Sequence, residues 1–211
     1  MSTLTEISEA LQQGSAKQVK ALVSAAIDEG LSANEILQNG LLAGMNVVGA
    51  KFRNNEVFIP EVLVAARAMN AGTALLKPLM GGDAAQSYGK AVVGTVKGDL
   101  HDIGKNLVRM MFECKGIEVI DLGVDVEPAA FVAAAKEHGC GVIACSALLT
   151  TTMAVMADVV KAAEAAGIRD KVCIMVGGAP VTQQFCDAIH ADVYTPDAAA
   201  AAEKALERLT A

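Results

Sequence analysis

Apolar residues recur at three- and four-residue spacing in the segments Thr5 to Gln13, Ala16 to Glu29, Ala33 to Phe52 and Pro60 to Leu79, the pattern of helices that each bury one stripe. Gly14-Ser15, Gly30 followed by Ser32 as a candidate N-cap, and Pro60 at a first helical position punctuate them. Four helices with short connections predict a small antiparallel bundle. From about Lys90 the pattern changes. Short, β-branched apolar runs (Ala91 to Val96, Gly141 to Cys145, Val172 to Val176, and a weaker run at Ala191 to Tyr194) alternate with helical segments at Asn106 to Cys114, Pro128 to His138, Thr151 to Ala166, Val181 to Ile189 and Ala198 to Leu209. Such alternation predicts an α/β domain with a doubly wound parallel sheet. Met80 to Gly89 has no periodicity and many small polar residues, as in a flexible linker. The chain therefore divides into a helical domain with its linker, 1–89, and an α/β domain, 90–211.

The candidate chemistry lies in the second domain. Gly98-Asp99-Leu100-His101-Asp102-Ile103-Gly104-Lys105 joins the first strand to the first helix, which puts His101 at the carboxyl edge of the sheet, where open α/β sheets hold ligands. An imidazole two residues after a carboxylate can be oriented by it, and oriented imidazoles are common metal ligands. A surface histidine beside helix-capping aspartates is the alternative reading of this segment alone. Ser146-Ala147-Leu148 and Gly177-Gly178 follow two later strands, so all three segments converge on one edge of one sheet.

Asp99-x-His101-x-x-Gly104 with Ser146-x-Leu148 and Gly177-Gly178 resembles the cobalamin-binding domain of methyltransferase corrinoid proteins and of cobalamin-dependent methionine synthase. The resemblance implies a Rossmann-like, flavodoxin-like strand order and cobalamin bound base-off/His-on. His101 would be the lower cobalt ligand, replacing the nucleotide base, with Asp99 behind it. Gly104 would leave the gap for the displaced tail, Ser146 and Leu148 would wall its slot, and Gly177 with Gly178 would contact it through the backbone. The hydroxyl that extends the ligand relay in the methionine synthases falls on Thr152 of Thr150-Thr151-Thr152, a threonine in place of serine. Asp102, Ile103 and Thr150 are further candidate cofactor contacts, although a solvated helix start also accounts for Asp102 and Lys105. Gly44 to Phe52 and Phe58-Ile59-Pro60 resemble the helical capping bundle of this family. Phe52 and Ile59 match residues on the upper, methyl side of the cobalt, Met45 and Phe58 read as bundle core, and Glu56 resembles an acidic position on the cobalt side.

Composition narrows the function classes. A formal net charge of -7, with aromatic residues at 3%, argues against a nucleic-acid partner. The amino terminus lacks a basic segment followed by an apolar core, and glycine or charge interrupts the apolar runs, so no signal peptide or membrane span is expected and the cytoplasm is the expected compartment. The 5 cysteines contain no C-x-x-C pair and read as packing residues; His138 and His190 read as helix-end residues. No zinc constellation, nucleotide loop or barrel-sized segment is present to activate a substrate. The resemblance thus implies a methyl-carrying subunit whose cobalamin alternates between methylcobalamin and cob(I)alamin. Its partners would be a substrate-specific methyltransferase, an acceptor methyltransferase and a reductive activase. A small subunit of a cobalamin-dependent mutase and a non-catalytic cobalamin sensor are the alternatives: mutases lack this capping bundle, and sensors add an output domain.

Overall fold

The computed structural model describes residues 2–79 and 87–211, so most of the expected linker, 80–86, lies outside the described residues. The chain separates into two compact units, Met1–Gln86 and Ser87–Ala211.

The first unit is helical: α1 (Thr3–Gln12), α2 (Ala16–Asp28), α3 (Ala33–Glu35), a π-helical stretch (Ile36–Leu42), α4 (Ala43–Arg53), α5 (Ile59–Leu76) and a 3₁₀ turn (Lys77–Leu79). Ser2 caps α1, and Ser32 accepts a hydrogen bond from the Glu35 amide at 3.1 Å, which satisfies otherwise unpaired donors of the first turn. The π-helical stretch interrupts what the periodicity predicts as one continuous helix. Its wider turn buries Ile36, Leu37, Gly40, Leu41 and Leu42 together, a broader apolar face than α-helical spacing supplies. Glycines let α1 approach there: a Cβ on Gly40 would lie 3.1 Å from an Ile7 methyl, and one on Gly44 2.9 Å from the Ser8 carbonyl oxygen. Ile7, Leu11, Val19, Val23, Val62 and Leu76 complete a closed core, each large side chain contributing about 1.5–3 kcal/mol of burial.

The second unit is a five-stranded, wholly parallel sheet of order β2-β1-β3-β4-β5. Its strands are β1 (Lys90–Thr95), β2 (Glu118–Asp121), β3 (Val142–Ser146), β4 (Cys173–Gly177) and β5 (Val193–Tyr194), with helices α6 (Ile103–Cys114), α7 (Pro128–His138), α8 (Ala154–Ala165), α9 (Gln183–Ala188) and α10 (Ala198–Thr210). The order reverses between β1 and β3, so the loops after these two neighbouring strands flank the switch point at which such sheets bind ligands. Val92, Ile143, Cys145, Ile174 and Val176 pack with Phe131, Met156 and Val159 of α7 and α8. Gly94 has no side chain because the Phe131 ring occupies that place, 2.8 Å from a would-be Cβ.

Three local differences from the sequence expectation bear on the site. β3 and β4 each extend one residue further, so Ser146 and Gly177 are strand-end residues, in register with Thr95, rather than the first residues of loops. α8 begins at Ala154 rather than Thr151, and the residues just before it form a turn. β2 is a short edge strand, half-exposed and with acidic ends, which hides it from an apolar-run criterion.

Candidate functional site

The site is built on the loop after β1. Its buried carboxylate, Asp99, is fully enclosed yet accepts five hydrogen bonds. Oδ1 accepts from the His101 amide at 3.1 Å and stands 2.8 Å from His101 Nδ1; Oδ2 accepts from the Leu148 amide at 2.8 Å, the Leu149 amide at 3.2 Å and Thr152 Oγ1 at 2.9 Å. Burial pushes the Asp99 carboxyl pKa up, but the Leu148 and His101 amides, the imidazole and the Thr152 hydroxyl outweigh it and hold the group well below the usual carboxylate range. A carboxylate only accepts, so Nδ1 donates to Asp99, and Nε2 is the ring nitrogen that Asp99 does not engage. The His101 side chain is 51% exposed. A rigid, buried base thus holds an accessible imidazole in one orientation, the arrangement that makes a good metal ligand.

The residues named in the sequence take definite places. Thr152, from the loop after β3, is buried and reaches Asp99; its hydroxyl is also 2.9 Å from the Leu149 carbonyl oxygen, so one proton has two acceptors. The turn before α8 is what frees this side chain to point at Asp99. Asp102 occupies the N-cap position of α6 without a side-chain cap bond and instead accepts from Asn106 Nδ2 at 3.1 Å. With Asp99 turned to His101 and the β3 loop, only Asp102 stands at the N-cap position, exposed and without a cap bond as in a solvated helix start, whereas Lys105, read in the same way from the sequence, is buried. Thr150 is exposed in the turn, and Ser146 is half-buried at the end of β3.

Gly104 faces open space: a Cβ there would meet nothing within 4 Å. Gly178 is different. At φ +133° its would-be Cβ falls 1.8 Å from the Ala147 carbonyl oxygen, so the ends of β3 and β4 themselves demand glycine, independently of any ligand. Gly177 has ordinary space, with the Thr195 carbonyl 3.6 Å from a Cβ.

In the helical unit Phe52 is half-buried on α4, and Ile59 is exposed at the start of α5. Met45 is buried, but Phe58 is 64% exposed, not the core residue its apolar character suggests. It sits in the turn before α5, where its amide donates to the Glu61 carboxylate at 3.0 Å. Glu56 is exposed and accepts from Asn54 Nδ2 at 3.1 Å. The cysteines are unpaired, and burial pushes the Cys114 and Cys145 thiols up to about 12, as in inert packing residues.

Two supports belong to no motif. Thr95, completely buried at the end of β1, donates its hydroxyl to the His101 carbonyl at 2.7 Å. The Leu149 amide adds to that of Leu148 on Asp99. An unpaired polar residue closing an apolar strand is the only sequence signal for Thr95; Leu149 has none, because its backbone acts rather than its side chain.

A planar apolar macrocycle carrying a metal fits this edge. Leu100, Ile103, Leu148 and Leu149 are 72%, 73%, 43% and 42% exposed; Leu100, Leu148 and Leu149 belong to the two loops that meet at Asp99, and Ile103 opens α6 just after the first of them. Exposed apolar side chains gathered in one place mark a surface that a ligand covers. Among the described residues no group of three or more His, Cys, Asp or Glu could hold a metal ion; the accessible imidazole of His101 presents a single nitrogen donor at this edge.

Known proteins resemble this chain over nearly its whole length. Two family models match, each described as a B12 binding domain, over residues 89–206 and residues 3–77. A corrinoid protein of Desulfitobacterium hafniense (strain Y51) is 41% identical over 208 residues, covering 97% of this chain and 96% of the relative. The dimethylamine corrinoid protein of Methanosarcina barkeri is 44% identical over 207 residues, covering 98% and 97%. Among solved structures, a chain of the methanol:cobalamin methyltransferase complex MtaBC from Methanosarcina barkeri aligns with a TM-score of 0.88 at 30% identity, over 98% of this chain and 79% of that one.

Proposed function

The chain belongs to the family of B12-binding corrinoid proteins, and on that premise we propose that it is a methyl carrier holding cobalamin at the switch point of its sheet, with His101 as the lower cobalt ligand. Bound cobalamin supplies the chemistry, a cobalt atom able to accept a methyl group and release it; the chain supplies position, ligand and shelter. The observation that carries the reading is the Asp99–His101 pair, a saturated buried carboxylate 2.8 Å from the Nδ1 of a half-exposed imidazole.

The roles of the other residues follow from their chemistry. Asp99 orients the imidazole and strengthens Nε2 as a donor; Thr152 and the Leu148 and Leu149 amides hold Asp99 still. Leu100, Ile103, Leu148 and Leu149 exclude water from the lower side of the macrocycle. Gly104 leaves room for the displaced base, and Ser146 and Gly177 border the same edge. The resemblance further assigns Asp102 and Thr150 to polar contacts with the cofactor, and Phe52 and Ile59 to its upper side. The exposure of Val47, Phe58, Ile59, Leu63 and Val64 in the bundle supports an apolar surface with something to cover.

As a carrier it takes its methyl group from a substrate-specific methyltransferase and presents it to an acceptor methyltransferase, with a reductive activase as third partner. The likeness to a chain of the MtaBC complex supports the first of these. Among the described residues no helix is long and apolar enough to cross a membrane. The unpaired cysteines support the reducing environment of the cytoplasm. The relatives reported are corrinoid proteins rather than mutase subunits or sensors.

The visible spectrum of protein reconstituted with methylcobalamin tests the ligand. His101→Ala should retain cofactor through its other contacts but show the base-off spectrum. An unchanged spectrum in His101→Ala overturns the assignment of His101.

A further inference from the structure

The last residue of β2, Asp121, and Asp125 in the turn after it are two carboxylates that belong to none of the motifs above, and each grips the loop of His101 at a different end. At the start of that loop, Asp125 Oδ1 accepts from the Gly98 amide at 2.7 Å, while the Asp125 amide donates to the Asp99 carbonyl at 3.0 Å. Both residues of this contact have left-handed backbones, Gly98 at φ 80° and Asp125 at φ 56°. Such a conformation is uncommon for a residue with a side chain and persists where the surroundings over-determine it. Backbone ties on either side supply that constraint: the Thr95 amide donates to the Gly123 carbonyl at 2.9 Å, and the Val126 amide to the Thr95 carbonyl at 3.0 Å.

At the far end, in the first turn of α6, Lys105 is 3% exposed. Its ammonium donates to Asp121 Oδ1 at 2.6 Å, Asp121 Oδ2 at 2.7 Å and Asn106 Oδ1 at 2.8 Å, so all three of its protons are used. Asp121 is itself held by the Gly123 amide at 2.9 Å. A buried ammonium with a complete set of acceptors has one favourable location, because moving it leaves an uncompensated charge. The start of α6, and with it the far end of the loop, is thereby fixed to β2.

We propose that Asp125 and Asp121 are positioning residues for the cobalt ligand: together they clamp both ends of the Gly98–Lys105 segment so that His101 is presented in one orientation. The inference rests on the reading of His101 as that ligand. The clamp acts on backbone and helix position; neither carboxylate touches the imidazole. It accounts for how a glycine-containing loop, half-exposed at His101, can hold a ligand geometry that tolerates little displacement.

The test compares wild type with Asp125→Gly, Asp125→Asn and Lys105→Met. Glycine keeps the left-handed backbone but removes the acceptor for Gly98. Asparagine keeps both, since it tolerates that conformation and its Oδ1 can still accept. Methionine removes the buried ammonium while leaving Asp121 bonded to Gly123 and to Arg109 Nη1 at 3.3 Å. In the cofactor-free proteins, amide hydrogen exchange at Gly98 and His101 should speed up roughly fivefold or more in Asp125→Gly, as loss of a hydrogen bond to a charged acceptor implies. It should stay near wild type in Asp125→Asn. After reconstitution with methylcobalamin, Asp125→Gly and Lys105→Met should show a mixture of imidazole-ligated and base-off spectra, with Asp125→Asn restored. Unchanged exchange and an unchanged spectrum in Asp125→Gly overturn the clamp, and if that variant does not fold, an unchanged spectrum in Lys105→Met does so. A wild-type protein that binds cobalamin without an imidazole-ligated spectrum refutes the reading of His101 instead, and the exchange rates then still decide whether the clamp exists.

Discussion

Asp99 concentrates more of the site's physics than any other residue. A fully buried carboxylate is costly unless its lone pairs are filled, and here five donors fill them. Asp99→Asn replaces one acceptor oxygen by an NH2 group that must face a donor, so it should destabilise the protein by about 1–3 kcal/mol, read as a shift in urea midpoint. The same carboxylate predicts a pH dependence. Its folded-state pKa lies below the unfolded value of about 3.9, since the amide, imidazole and hydroxyl donors outweigh the upward push of burial. The contribution is therefore fully present above about pH 5 and is lost as pH falls through about 4 toward the folded value. Urea titrations from pH 7 to pH 3 should show wild type losing stability over that range more steeply than Asp99→Asn; parallel curves would disprove the linkage. Thr152→Val should cost about 1 kcal/mol through the lost hydroxyl donor, and Thr152→Ser should recover it.

At the scale of elements, the two glycine positions on the site edge separate structure from ligand. Gly178 follows β4 directly, with its would-be Cβ against the Ala147 carbonyl, so Gly178→Ala must push the ends of β3 and β4 apart. It should lower stability by about 2 kcal/mol or more, with faster amide exchange at Leu148 and Leu149. Gly104 sits in the first turn of α6 with nothing nearby. Gly104→Ala should leave the cofactor-free protein as stable or raise it by about 0.5–1 kcal/mol, whereas Gly104→Phe should melt like wild type yet lose cobalamin uptake. Equal uptake by wild type and Gly104→Phe removes Gly104 from the proposed tail path. The contrast shows that a glycine pair in sequence and a glycine in a motif need not serve the same purpose.

For the molecule as a whole, an apolar edge around His101 has a thermodynamic consequence. A ligand that binds only the folded state stabilises it by RT ln(1 + [L]/Kd), about 2.7 kcal/mol at a hundredfold excess over Kd. Saturating cobalamin should therefore raise the melting temperature, and exchange protection should appear in the segments carrying Leu100, Ile103, Leu148 and Leu149. A melt indifferent to cobalamin would show that this edge does not bind it. Exposed apolar side chains in the bundle, Phe58 and Ile59 among them, lead to a separate expectation. If Phe52 and Ile59 shelter the cobalt–methyl bond, Phe52→Ala and Ile59→Ala should speed its photolysis, and unchanged rates argue against that role.

Local pattern alone specified much of this protein. The change from three-and-four spacing to short β-branched runs near Lys90, the alternation that follows, and the placing of Asp99, His101, Ser146 and Gly177 near strand ends all arise from residue-to-residue periodicity, which a linear chain displays directly. Tertiary structure decided what depends on distance across the chain. β2 escaped the pattern because an edge strand with acidic ends buries too little to read as apolar, and the π-helical turn at Ile36–Leu42 exists because α1 packs against it. Phe58 lies exposed because the turn before α5, not its own hydrophobicity, fixes its place. Three of the five donors on Asp99 come from residues 49, 50 and 53 positions away, two of them backbone amides with no side-chain signature. The carboxylates at and just after the end of β2 meet the His101 loop only because β1 and β2 are neighbours. A motif names the candidate ligand; the long-range hydrogen bonds that hold it still are written in the fold.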